Sequence, residues 1–299
     1  MHRHQEGLTL IELMIAMALG MGVVLAAVAL MQAARTTYLS VTDSAQVQEN
    51  GRYALDLIAH SVRQANYMPQ DNPVFLRSDL TALEPGVYGI DNTRVSEHST
   101  SLASLSSNPD AQGSDLLLIR FFGSGPKNQP DNDMLNCAGF TVPGPNDTAT
   151  LSGLEQERGQ SIFYVAPDRT GEPELRCKYL TRDGGWSAAA IVRGIESFQV
   201  LYGLRNSDNT IDYLSATRIG TRWRDVVAVR IALLARGERN VRDGGASTQH
   251  HLFGTTYRDG GDIGTTVDEA KLAPAVRQRL RKLFQTTVWL RNPAPQSLP

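Results

Sequence analysis

Residues Leu8 to Met31 read LTLIELMIAMALGMGVVLAAVALM, 24 positions carrying a single charge, Glu12. As a helix rising ~1.5 Å per residue the run reaches about 36 Å, enough to cross the ~30 Å hydrocarbon core of a bilayer. A secretory signal has an apolar region of only ~7–15 residues ending at a small-residue cleavage site, so this run is too long for one. Ahead of it lies MHRHQEG, a polar leader with Arg3, two histidines and one acid, Glu6. Positive charge on the short flank favours keeping it in the cytoplasm and exporting the long C-terminal side, although Glu6 offsets Arg3 when the histidines are neutral. With this block included, the 299-residue chain is of ordinary globular composition, 41% hydrophobic and 20% charged, which excludes bulk disorder and a collagen-like chain. Its 29 basic residues against 31 acidic ones offer no basic excess of the kind that phosphate binding draws on.

Glu12 is out of place in such a run. An acid near the bilayer interior costs ~2.5–3.5 kcal/mol on insertion scales and marks a functional position whose partner should be sought. One explanation is local: Thr9-Leu10-Ile11-Glu12 fits the S/T-x-x-E capping box, which satisfies free N–H groups at a helix start. Capping contributes about 1 kcal/mol, less than the insertion cost. No other charge in the block can pair with Glu12, so its partner is expected from another chain.

The string Glu6-Gly7-Leu8-Thr9-Leu10-Ile11-Glu12-Leu13 resembles the class III signal of type IV prepilins and type II secretion pseudopilins. The shared features are a short leader ending in glycine, a cut, an apolar residue, and Glu at the fifth position after the cut. The resemblance implies cleavage between Gly7 and Leu8 by a membrane prepilin peptidase on the cytoplasmic face, followed by N-methylation of Leu8. It also implies that Glu12 pairs, inside a filament, with the terminal amine of a neighbouring subunit. Most family members carry Phe where this chain has Leu8. Burying an acid and an amine together offsets part of the desolvation each would suffer alone, and an anion in the first helical turns is favoured by the helix dipole.

Past Met31 the helix is expected to continue. Gln32 to Tyr67 contains no proline and one glycine, Gly51, while Leu55, Ile58, Val62 and Ala65 form a stripe at spacings of three and four. Gln46, Gln48, Glu49, Arg52, Asp56, Arg63 and Gln64 occupy the other face. The spacing predicts one helix over 9–67, ended by Met68-Pro69 and Asn72-Pro73. The chain thus divides into a leader, 1–7; a membrane or filament-core half, 8–31; an amphipathic half, 32–68; and an exported globular part, 69–299. In that last part, turn-rich stretches at 77–114, 123–160 and 237–274 separate runs of strand type: 115–122, 161–166, 175–180, 195–202, 225–235 and 283–290. In the fifth run Val227, Val229, Ile231 and Leu233 alternate with Arg230. These runs predict an antiparallel sheet with long loops on which the helix packs, an α+β fold, with one minor helix in Lys271 to Lys282.

Cys137 and Cys177 are the only cysteines, too few for a four-ligand C-x-x-C zinc site. In an exported domain they are expected to form a disulfide closing the 123–160 excursion, with two free buried thiols as the alternative. Motifs for a nucleophile elbow, a phosphate loop, a dinucleotide fold and H-E-x-x-H are missing, so neither an enzyme nor a cofactor is expected. His250-His251 reads as a solvated pair in a Gly-rich loop. Asp131-Asn-Asp133 and Asp208 to Asp212 echo calcium loops but lack the Gly and Glu of an EF-hand and read as turns; no metal site is expected. From Arg218 onward there are 14 basic and 7 acidic residues, and Arg222-Trp223-Arg224 joins cation to aromatic surface. A DNA-binding face is the minor reading; an electrostatic contact between neighbouring subunits is preferred.

Gly194-Ile-Glu-Ser-Phe-Gln-Val-Leu-Tyr202, Trp223 to Arg236 and Val288-Trp-Leu-Arg-Asn292 resemble the PilW-like family of minor pilins. That resemblance implies a low-copy subunit at or near the tip of a type IV pilus, which primes assembly and presents a large tip adhesin. It implies as partners the prepilin peptidase, other minor pilins and the major pilin through their N-terminal helices, and inner-membrane lipid before assembly. The expected location is a single-pass inner-membrane protein with a periplasmic domain, then the extracellular pilus tip. A type II secretion minor pseudopilin and a membrane-anchored surface-binding protein are the alternatives.

Overall fold

Helix α1 spans Leu10–Gln64, 55 residues, in a computed structural model that describes residues 9–77, 79–93, 95, 113–147, 149–181, 183–240, 248–258 and 262–295. Helix α1 stops three residues short of the expected 67, and proline is not what ends it. Asn66 takes a left-handed φ of 58°, and its amide turns away to donate to the Arg120 carbonyl (3.1 Å). Its side chain accepts from the Gly86 amide (2.9 Å) and donates to the Asn292 carbonyl (3.3 Å). An asparagine able to adopt αL and make three polar contacts outcompetes the next helical turn.

The remaining elements are α2 (Pro73–Arg77), β1 (Val87–Ile90), β2 (Leu116–Phe121), α3 (Leu151–Glu157), β3 (Gly159–Pro167), β4 (Pro173–Leu180), β5 (Trp186–Arg193), β6 (Ile195–Arg205), β7 (Ile211–Leu214), α4 (Ala216–Ile219), β8 (Val226–Asn240), β9 (Gln249–His251), β10 (Thr266–Asp268), α5 (Pro274–Arg277) and β11 (Arg279–Trp289). Instead of one sheet there are two main ones, both antiparallel: a five-stranded meander β1-β2-β3-β4-β5, and a four-stranded sheet ordered β11-β8-β6-β7. A two-stranded ribbon pairs β9 with β10. The chain crosses from the first sheet to the second at one residue, Gly194. Its φ is +81°, its amide donates to the Pro173 carbonyl beside β4, and its carbonyl accepts from the Arg236 amide in β8, both at 2.7 Å. Without a side chain it can sit in this left-handed bend and serve both sheets.

Helix α1 lies on β8 and β11, with further contacts to β2 and β5. Val47, Ala54, Ile58, Val62 and Ala65 enter a core shared with Leu117, Ile119 and Phe163 of the first sheet and Val229, Ile231 and Leu233 of the second. The stripe is wider than expected: Leu55 is only half-buried, whereas Asp43 and Gln64, polar residues, are buried. The Gln64 amide, expected outside, faces the Leu135 backbone. In β8 the alternation also shifts. Gly203 pairs with Ala228 and Leu204 with Val226, so Val227 is skipped by the ladder as a bulge and stays half-buried while Val226 joins the core. The opposite face of β8 is covered as well, by Leu252 and Phe253 packing on Ala232. The minor helix expected over Lys271 to Lys282 shrinks to a single turn, α5. β11 begins at Arg279, because Arg279 and Arg281 are drawn into ion pairs with Glu172 and Glu196.

Candidate functional site: the N-terminal helix and its attachment

From Leu10 to Tyr38 every residue of α1 is exposed, with Leu10 at 77%, Leu30 at 72% and Met31 at 75%. This is the one helix among the described residues long and apolar enough to cross a membrane. Gly7 and Leu8, the expected cleavage and methylation positions, lie outside the described residues. Immediately after them the capping box is formed. The Thr9 amide and hydroxyl each donate to Glu12 Oε2 (2.9 Å), and the Glu12 amide donates to Thr9 Oγ1 (3.4 Å). In the isolated chain Glu12 therefore completes its own helix start.

The helix enters the folded part at Asp43. That carboxylate accepts from the Glu238 amide at the end of β8 (3.1 Å). Gly51 then lets the Phe284 ring of β11 lie directly on the helix backbone, in space a Cβ would fill. Asn50 donates to the Arg193 carbonyl (3.2 Å) and Lys282 donates to Gln48. The exposed half is thus a rod fastened only beyond residue 42.

At the far side of this attachment an ion network ties β6, β8 and β11 to the β4 hairpin. Glu196 receives Arg236 (2.8 Å) and Arg281 (2.6 Å), and Glu172 receives Arg236 and Arg279 (both 2.7 Å). Neighbouring guanidinium groups hold the Glu172 carboxyl below the usual carboxylate range, the hydrogen bond from Arg279 acting most strongly. Cys137 and Cys177 are joined, with Cα atoms 6.0 Å apart, and pin the 123–146 excursion to β4.

The other candidates are placed as follows. His250 and His251 point apart, His250 Nε2 to the buried Glu269 (3.0 Å) and His251 Nδ1 to Thr266 (3.2 Å). Instead of a solvated pair, both are half-buried, His250 beside an acid. Asp131 accepts from Ser124 and the Asp133 amide, and Asp208 from the Thr210 amide and hydroxyl; these are turn contacts. Arg222-Trp223-Arg224 offers no stacking surface. Trp223 is buried against Tyr88 and Tyr202, with ring centroids 4.8 Å apart in each case. Arg224 is engaged with the carbonyls of Pro295, Thr81 and Leu83. The aromatic and one cation of the DNA-binding reading are therefore spent on the fold. Sequence reading missed Asp43, Glu172 and Glu196, whose roles arise only from pairing across long separations.

Two family models match the chain. Residues 2–30 match the prokaryotic N-terminal methylation motif, and residues 162–292 match type IV pilus-assembly protein W. In both regions the chain is similar to PilW-like type IV pilus-assembly proteins. No curated protein sequence matches this chain. Among solved structures, a type IV-like pilin from Thermus thermophilus aligns with 80% of this chain and 93% of its own at 14% identity, with a TM-score of 0.37, a superposition too loose to argue from. The PilW match begins within β3 and runs past β11, so it takes in the whole second sheet. It includes Cys177 and excludes Cys137; the disulfide joins the PilW-like part of the chain to the preceding excursion.

Proposed function

We propose that this chain is a minor pilin, cut between Gly7 and Leu8 by prepilin peptidase, methylated at Leu8, and built into a type IV pilus at low copy number near its tip. There it primes assembly with other minor pilins and the major pilin and presents a large tip adhesin. Before assembly it is a single-pass inner-membrane protein with its folded domain in the periplasm. The observation that carries this reading is the bare apolar rod with one acid at its first turn. Such a surface needs cover, from lipid first and from neighbouring helices afterwards, and in either setting Glu12 needs a cation. The Leu8 amine of an adjacent subunit supplies one, against which the local capping box competes. The bulk of the β-rich domain, with its long excursions, suits a position at the end of a filament better than a repeat along it.

Replacing Glu12 with Gln retains a capping-competent side chain and removes the charge. The expected result is at least a tenfold fall in the amount of this subunit in sheared pili, with membrane levels unchanged. Wild-type incorporation of Glu12→Gln would show that the cap alone suffices and would overturn the docking role.

A further inference from the structure

Away from the helix, three aspartates from three different loops meet inside the domain. Asp91 follows β1, Asp115 precedes β2 and Asp262 precedes β10; they are 3%, 2% and 5% exposed. One carboxylate oxygen from each lies within 4.8 Å of the other two. Asp91 and Asp115 have no ion pair with a basic side chain among the described residues. Instead each is gripped from outside by backbone amides. Asp91 accepts from Ala216 (2.8 Å) and Thr217 (2.7 Å), and Asp115 from Asn92 (3.1 Å) and Val200 (2.8 Å). Asp262 accepts from the Tyr257 hydroxyl (2.9 Å). Amides at both oxygens orient a carboxylate, but three anions this close still repel strongly in a dry interior.

A second observation concerns neutral oxygens at the same place. Tyr202 is 1% exposed and its hydroxyl makes no hydrogen bond; it projects over the backbone of Gly89, two residues before Asp91, where the charges of Asp115, Asp91 and Asp262 all act on it. Asn92, adjacent to Asp91 and bonded through its amide to Asp115, is 3% exposed and leaves its side-chain oxygen without a partner. Buried polar oxygens left unmatched are rare and call for an explanation. Converging carboxylates among such oxygens, with neither nitrogen nor sulfur, form a hard all-oxygen donor set of the kind calcium prefers. At calcium–oxygen distances of ~2.3–2.6 Å, ligands up to about 5 Å apart can touch one ion, whereas magnesium at ~2.0–2.1 Å spans only about 4 Å.

We propose that Asp91, Asp115 and Asp262 form a calcium-binding site, with the oxygens of Asn92 and Tyr202 beside it. The cluster bridges the two main sheets: Asp91 and Asp115 flank β1 and β2 of the first, whereas Asp115 is held by Val200 of β6 in the second and Asp91 by the start of α4 beyond β7. A bound calcium ion would therefore clamp the first sheet to the second, and its binding free energy would add to the stability of the domain.

The test uses the full-length chain purified in detergent, stripped with chelator and titrated with calcium chloride, with magnesium chloride as comparison. Calorimetry should give one calcium per chain, and thermal unfolding should shift upward by several degrees at saturating calcium and much less with magnesium. Asp262→Asn keeps an acceptor for Tyr257 and should weaken calcium binding at least tenfold; Asp131→Asn and Asp208→Asn should leave it unchanged. Absence of heat and of any thermal shift at millimolar calcium would overturn the proposal, as would calcium binding that survives Asp262→Asn and disappears in Asp131→Asn. An Asp115→Asn chain more stable than a calcium-insensitive wild type would also overturn it, showing that the three carboxyls share protons.

Discussion

Glu196 accepts two guanidinium groups, and the side chain of one of them, Arg281, is wholly buried. Removing the acid leaves those cations short of a partner, and breaking a buried pair from one side costs ~3–5 kcal/mol. Glu196→Ala is therefore expected to lower stability by about 3 kcal/mol, read as a reduced urea midpoint; a loss under about 1 kcal/mol would mean that Glu172 and Glu269 carry the arginines unaided. Asp168 gives a pH-dependent counterpart. In the β3–β4 turn its carboxyl is lowered to about 2, chiefly by the Thr170 hydroxyl, with help from the Thr170 and Glu172 amides and Arg193. A depressed carboxyl contributes in full above its unfolded value, ~3.9, and its contribution disappears as pH falls through about 2. The Thr170 amide resonance should hence move between pH 4 and about 2, and Asp168→Asn should flatten that titration. These contacts were invisible in the sequence for a simple reason: Glu196 meets partners 40 and 85 positions away, and only the fold sets such distances.

Among the elements, what was legible follows from burial. β2, β3, β4, β6 and β8 are interior strands, and the apolar runs that covering on both sides demands made their existence readable. β1, β5 and β7 went unrecognised, and each is a sheet edge. Trp186-Ser-Ala-Ala-Ala-Ile-Val-Arg193 shows no clean alternation because most of its side chains are half-exposed. β11 is an edge too, yet α1 lies on it and restores a readable pattern. The helix itself was evident from its apolar run and stripe, whereas the role of Gly51 was not. In an exposed helix, glycine costs ~1 kcal/mol relative to alanine, but here the Phe284 ring takes the vacant space. Gly51→Val should cost about 1–3 kcal/mol through overpacking of this seam. Thermal unfolding of the full chain in detergent measures it, and an unchanged or raised midpoint would show that Phe284 moves aside freely.

For the molecule as a whole, a bare rod ahead of a folded body was legible in outline from the fall in hydrophobicity after Met31, but the rod runs on to residue 42 before the helix is fastened at Asp43. The arrangement of the body was not legible. A list of strands fixes neither how many sheets they form nor where the chain passes between them, and that depended on Gly194. The acid trio stayed hidden for a related reason, since Asp91, Asp115 and Asp262 fall in turn-rich stretches where aspartate is ordinary. The Cys137–Cys177 bond carries one further consequence, a mechanical one. When the protein is pulled from its two ends, tension passes from one sulfur to the other and bypasses the chain between them. With a sequence separation of 40 residues, about 130–140 Å of extensible length at ~3.3–3.6 Å per residue is withheld from any stretching of the domain. In the oxidised state this subunit yields under tension by that much less, and reduction alone releases the slack.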